Sequence, residues 1–181
     1  MLKTRLNMYY GLSSHAQAFD LAHAVCDVLG YGSNGNAHLF TLEIAATETN
    51  LGLYRDPTDL AGMGLHQFDK KPFEYIQQTA RKKHKKLILK HFGIEVDRVQ
   101  WFELQHNPLL SFIWCRLFWL KREELIPTTL HERAALWKLL YNSSKGKGHV
   151  DHYIKKSQEY VNEKVINQRC PSCNKSQFSR L

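Results

Sequence analysis

Apolar residues recur along most of this chain at intervals of three and four, the spacing of helices that bury one face. Phe19, Ala22, Val25, Val28 and Leu29 form such a stripe, and Ser13 or Ser14 stands where the helix needs a cap. Gly30, Gly32 and Gly35 end it in the loop GYGSNGN. A second helix is expected over about 37–48, with Leu39, Leu42, Ala45 and Ala46 on one side. From Thr49 to Asp69 the period vanishes among Gly52, Pro57, Gly62 and Gly64, and the stretch reads as turns or short strands. Pro72 suits the first turn of a third helix running to His91, which Gly93 would end. Asn107-Pro108 opens a strongly apolar helix to about Leu125, and Phe112, Ile113, Trp114, Leu117, Phe118 and Leu120 cover its circumference, so it should be the most buried element. Beyond Pro127, Thr129 and Glu132 have capping-box spacing ahead of Ala134, Ala135, Leu136, Leu139 and Leu140. After NSSKGKG, an amphipathic helix is expected from about Val150 to Ile166.

This order predicts one mainly α domain over residues 1–166, followed by a polar tail over 167–181, with no internal repeat. Apolar residues are 43% of the 181, enough for a core and against wholesale disorder. The most apolar stretch, 109–120, is interrupted by Arg116 and is too short to span a membrane. The first residues, MLKTRLNMYYGLSSHAQ, lack the apolar core of a signal peptide, so the expectation is synthesis and retention in the cytoplasm unless something releases the protein. Lysine and arginine number 25 against 17 acidic residues, a net charge of +8 that favours anionic partners.

Candidate chemistry concentrates in ETNLGLYRDPTDLAGMGLHQF, residues 48–68. A carboxyl at the end of a rather apolar helix (IAATE) is open to partial desolvation, which raises its pKa toward the range where it can act as an acid at neutral pH. Small residues in the following loop would let a polymeric ligand approach the backbone. Glu43 is the rival acid, but it precedes Glu48 by five residues and points about 140° away on a helix, so it reads as structural or solvated.

Glu48-Thr49, then Gly64-Leu65-His66-Gln67 sixteen residues after the glutamate, then Tyr141-Asn142, resembles the soluble lytic transglycosylase and goose-type lysozyme superfamily, whose pattern is Glu-Ser, Gly-Leu-Met-Gln and a late Tyr-Asn before glycine. The resemblance covers about residues 37–160. Thr49 keeps the hydroxyl of the usual serine, His66 replaces methionine, and the glycine after Asn142 is delayed to Gly146. It implies a lysozyme-like fold, mainly α with a small irregular or β lobe over about 50–69 walling a substrate cleft. It also implies cleavage of the β-1,4 bond between N-acetylmuramic acid and N-acetylglucosamine, with Glu48 as proton donor and no cofactor or metal. Thr49, Gly64, Leu65, His66, Gln67, Tyr141 and Asn142 would line the substrate groove, with the Tyr141 hydroxyl pointing at the Glu48 carboxyl.

Two outcomes stay open. A carboxylate about 6.5–9.5 Å from the acid could activate water and make the enzyme an inverting hydrolase. Without one, Glu48 would take the proton of the muramic 6-hydroxyl and leave an anhydro sugar. Asp59 is the candidate second carboxylate and tilts the expectation to hydrolysis; Asp56, before Pro57, reads as a turn residue. The partner would be the glycan strand, with no nucleic acid expected. A wall-cleaving chain without an export signal suggests a phage endolysin released through a holin, or a lysin carried in a phage particle.

The alternatives are a basic helical nucleic-acid-binding protein that uses the Arg81–Lys90 face, or a lysozyme-like fold that binds glycan without cleaving it. RKKHKK lacks interleaved aromatics, which argues against base stacking and for a solvated face or attraction to anionic wall polymers. Cys170 and Cys173 have the spacing of half a zinc site and read as a free pair, with Cys26 and Cys115 placed on core helices. His149 and His152, three apart, read as ordinary histidines.

Overall fold

The computed structural model describes residues 8–57, 62–142 and 148–161. Within them the chain is mainly helical: α1 (His15–Leu29), α2 (Ala37–Thr49), α3 (Lys70–Thr79), α4 (Lys82–Phe92), α5 (Pro108–Leu120), α6 (Leu130–Trp137) and α7 (Val150–Tyr160). Short 3-10 turns at Val96–Arg98 and Trp101–Gln105, which no sequence pattern announces, lead into α5, and a π-helical turn at Lys138–Asn142 extends α6. The caps fall where the sequence puts them. Ser14 Oγ accepts from the Gln17 N–H at 3.1 Å, Asn107 Oδ1 accepts from the Leu110 N–H at 3.2 Å, and Thr129 and Glu132 close a reciprocal capping box.

Three expectations change. The helix expected over 72–91 is two, broken where Ala80 and Arg81 turn extended (ψ 134° and 137°). The end of α3 is stabilised by side chains instead of glycine or proline: Thr79 Oγ1 donates to Tyr75 O at 2.6 Å and Lys121 Nζ to Thr79 O at 3.2 Å. The apolar helix stops at Leu120 rather than Leu125, because Lys121, Arg122, Glu123 and Glu124 offer no apolar face and Pro127 disfavours helical backbone at Ile126. The segment expected as a β-like lobe holds, among the described residues, turns and one antiparallel bridge, Met63 to Phe68. The last helix is described to Tyr160; the rest of its expected span, the tail and the Cys170/Cys173 pair lie outside the described residues.

α2 is the central element, packed against α1, α5 and α7. Phe40, Leu42, Ile44, Ala45 and Ala46 are fully buried on it, and Phe112, Ile113, Trp114 and Cys115 are fully buried on α5, in agreement with the expected burial of that helix. No helix among the described residues is long and apolar enough to cross a membrane.

One polar network crosses this core. Glu43 on α2 and Arg133 on α6 are 4% and 6% exposed. The guanidinium meets the carboxylate with both arms, Nε to Oε2 at 2.7 Å and Nη2 to Oε1 at 2.6 Å. Its third nitrogen donates to Thr128 O at 2.6 Å, and Tyr153 of α7 donates its hydroxyl to Glu43 Oε2 at 2.8 Å. Removing one member of such a pair strands the other in the core. Arg133→Met is therefore expected to cost about 3–5 kcal/mol in urea unfolding, and adding Glu43→Gln to recover most of it. A loss below about 1 kcal/mol in the single variant, the range of an exposed pair, would show that the pair does not hold these helices.

Candidate active site

Glu48 stands in the last turn of α2, where the unsatisfied helix carbonyls already disfavour a negative charge. It is partly exposed, but its carboxyl is crowded by the surrounding chain. Burial raises its pKa from the ordinary 4.5 to about 7, a Trp137 hydrogen bond pulls it back, and the Asp69 charge pushes it up again. Trp137 Nε1 donates to Glu48 Oε1 at 3.1 Å, and no hydrogen bond from the described residues reaches Oε2. Among the described residues Glu48 has no cationic partner, unlike Glu43 five residues earlier. The result is a carboxyl whose pKa is raised to near neutrality and one of whose oxygens has no partner among the described residues.

The segment Gly64–Phe68 is fastened opposite the end of α2. Thr49 Oγ1 lies 2.9 Å from both Ala45 O and Leu65 O and accepts from the Gly52 N–H at 3.3 Å, so its one proton ties α2 to this segment. Gln105 accepts from the Gly64 N–H at 3.2 Å, and Trp101 Nε1 donates to Phe68 O at 2.7 Å. Gly64 has φ +76°, and a Cβ there would lie 2.6 Å from Leu104 O. Backbone strain gathers at the same two turns: Asn50, Leu51 and Gln67 are non-glycine residues with φ of 50°, 52° and 50°.

This placement corrects several sequence expectations. Thr49 and Leu65 are fully buried and hold the segment together instead of meeting a ligand. Gly64 is buried too; its lack of a side chain serves the approach of Leu104, not of a polymer. His66 is fully buried, and its imidazole offers no surface to a substrate. Its Nε2 is 3.0 Å from Thr41 O, which can only accept, so the proton sits on Nε2. Nδ1, 2.8 Å from Ser111 Oγ, is left to accept. Burial pushes the His66 pKa down to about 3, so the ring is a neutral strut between α2 and α5.

The Gln67 amide donates to Gly64 O in its own turn at 2.8 Å and to the Tyr10 hydroxyl at 3.2 Å. The Tyr141 hydroxyl donates to His66 O at 2.6 Å and not to Glu48. Burial, more than its charged neighbours, holds the Tyr141 pKa well above its ordinary value, so it stays a donor. Asn142 accepts from Lys138 Nζ at 2.8 Å in the π-turn. Asp59 lies outside the described residues.

Sequence reasoning missed Trp137 and Asp69. Trp137 is 1% exposed, and a Cβ on Gly148 would lie 2.5 Å from its ring, so the chain entering α7 presses on the indole. Asp69 is exposed, directly precedes α3 and makes no side-chain cap bond, so its carboxylate is available to the same site. The signal for Asp69 was its place one residue after Gly-Leu-His-Gln-Phe; for Trp137 it was an indole on the buried stripe of a capped helix. Among the described residues no three His, Cys, Asp or Glu side chains gather to hold a metal, and His152 faces Thr47 O at 3.4 Å. A pocket of 330 Å³ lined by Gly93, Ile94, Arg98, Val99 and Leu110, among others, contains none of the residues around Glu48. Compared with family models, with curated proteins and with solved structures, the chain matches none of them.

The raised Glu48 pKa has a sign that stability measurements can read. Below about pH 4.5 the group is neutral in folded and unfolded chains alike. Between 4.5 and about 7 the unfolded chain releases the proton while the folded one keeps it, so this group makes stability fall as pH rises, and the loss levels off above 7. Glu48→Gln should thus match the wild type at about pH 4 and exceed it by about 1–3 kcal/mol at about pH 8 in denaturant unfolding. An equal difference at both pH values would place the Glu48 pKa near its ordinary value.

Proposed function

We propose that the protein is a peptidoglycan-cleaving glycosidase acting on the β-1,4 bond between N-acetylmuramic acid and N-acetylglucosamine. The observation that carries the reading is Glu48: a crowded carboxyl with its pKa raised to about 7, one oxygen on Trp137 and the other without a hydrogen bond from the described residues. Glycosidic cleavage needs such an acid, because the leaving oxygen must receive a proton as positive charge develops on the sugar. In this reading the turns of 50–57 and 62–69 form one wall of the glycan groove. Rigid fastening of that wall suits a reaction whose rate depends on placing the bond against the acid.

In this reading Asp69, rather than Asp59, is the second carboxylate. Its charge acts on Glu48, and its carboxylate is exposed and makes no cap bond to α3. Acting as base on a water, it would make the reaction a hydrolysis: water adds across the bond, the muramic carbon takes the hydroxyl, and Glu48 gives its proton to the departing oxygen. If it does not act, Glu48 serves alone and the muramic 6-hydroxyl closes the anhydro ring. The cations Arg81, Lys82, Lys83, Lys86 and Lys90 are exposed along α4, a helix without a single acid. They would draw the protein to anionic wall polymers, an attraction that salt weakens.

Clearing of purified peptidoglycan tests the reading. The wild type is expected to clear it, and Glu48→Gln to lose about 10²–10⁴-fold in rate while staying folded, since the amide has no acidic proton to give. Mass spectrometry of the product then separates the outcomes, the hydrolytic fragment being heavier by one water. A reducing muramic end together with a large loss in Asp69→Asn supports Asp69 as base. An anhydro end with Asp69→Asn unaffected leaves Glu48 working alone. Failure of the wild type to clear, with salt-sensitive binding to nucleic acid that Lys82→Gln/Lys86→Gln/Lys90→Gln abolishes, would replace this reading by that of a nucleic-acid-binding protein.

A further inference from the structure

We propose that Trp137 is a positioning residue for the Glu48 carboxyl, and that the buried Glu43–Arg133 pair sets the register of α6 that brings the indole there. The inference rests on Glu48 as the functional acid, but its geometry stands apart from any particular substrate.

Arg133 and Trp137 are four residues apart on α6, so they share a face, one turn of helix from each other. Glu43 and Glu48 are five apart on α2 and leave it about 140° apart. One short helix serves both because its two contacting side chains are long. Arg133 fixes the rotation and height of α6: its fork binds both Glu43 oxygens, and its remaining nitrogen holds Thr128 O just ahead of the helix. A planar fork on a carboxylate tolerates little sliding or rolling. With Arg133 fixed, the position of Trp137 follows.

α7 braces the arrangement from the other side. Tyr153 donates to Glu43 Oε2 at 2.8 Å, and its ring centroid is 5.3 Å from that of Trp137. Gly148 presses on the far edge of the indole. The indole therefore cannot swing away from Glu48 without disturbing the ion pair or the start of α7.

The consequence for Glu48 is directional. An indole has one N–H and no acceptor, so against a protonated carboxyl it favours the carbonyl oxygen, the better acceptor of the two. It selects Oε1 as that oxygen and leaves Oε2 to hold and deliver the proton. An apolar wall would desolvate the carboxyl as well, but would leave its two oxygens equivalent. α2 then carries two carboxyls with separate tasks: Glu43, buried, holds the helix that orients Glu48.

The first test needs no activity. In ¹⁵N-labelled protein the Trp137 indole N–H resonance, assigned by its loss in Trp137→Phe, is expected to titrate with a midpoint near 7 and to be flat in Glu48→Gln. A flat wild-type resonance across that range overturns the proposal. The second test addresses register. Arg133→Lys keeps the charge and loses the fork; its Trp137 resonance should shift and its titration weaken. An unchanged titration in Arg133→Lys overturns the part assigned to the ion pair. The third test is kinetic. Trp137→Phe should lower kcat about tenfold, the loss expected of one hydrogen bond to a charged group, with KM unchanged. The limb of its pH profile that reports Glu48 should move to higher pH, because the lost bond favoured the carboxylate. A kcat loss with an unmoved limb would mark a merely structural tryptophan and overturn the proposal. If the wild type cleaves no glycan, the two resonance tests still decide the matter, so failure of this inference and failure of the functional reading are distinguishable.

Discussion

A carboxylate and a guanidinium, both almost wholly removed from water, join α2 to α6, and the rest of the site depends on that contact. Taking two charges out of water is costly, and a buried pair is often no more stable than apolar residues of the same volume. Here both Glu43 oxygens and every guanidinium nitrogen have partners, because Tyr153, Thr128 and Pro127 supply the bonds that the pair itself does not. What the pair adds over an apolar contact is direction. Leucines in its place could slide past one another, whereas a fork on a carboxylate has one seat.

From that seat the chemistry of Glu48 follows. Both glutamates lie in α2, among residues that are nearly all buried, and they differ in what meets them. Glu43 meets a cation. Glu48 meets an indole N–H, the carbonyl end of its own helix and the field of Asp69, and of these only the indole favours its charge. The facing segment is rigid for a similar reason. Thr49, Ser111, Gln105, Tyr141 and Trp101 each take one polar backbone group of residues 64–68, so the turn opposite the acid is pinned from α2, α5, the π-turn and the 3-10 turn.

Much of the helical order was legible because it is local. Caps such as Ser14, Asn107 and Thr129 and the apolar stripes act within a few residues of themselves. Glu48 could be picked out for the same reason: a carboxyl at the end of an apolar helix is visible in five letters. The groove residues were less legible because their partners are distant in sequence. His66 looked like a titratable group in a ligand wall; that its ring spans Thr41 and Ser111 depends on a serine 45 residues away, whose place in the apolar run LLSFIW was the available clue. Arg133 and Glu43, 90 residues apart, each sat as a lone charge in an apolar stripe, a pattern that asks for a buried partner of opposite sign. The split of the 72–91 helix left no such trace, since a threonine hydroxyl and Lys121, not a glycine or proline, satisfy the carbonyls at the break.

A general acid at position 48 requires that the fold keep Glu48 protonated near neutrality. A ¹³C titration of its side-chain carboxyl in the wild-type protein, assigned against Glu48→Gln, measures this directly. A midpoint near 7 is expected. A midpoint near 4.5, the ordinary value, would contradict it.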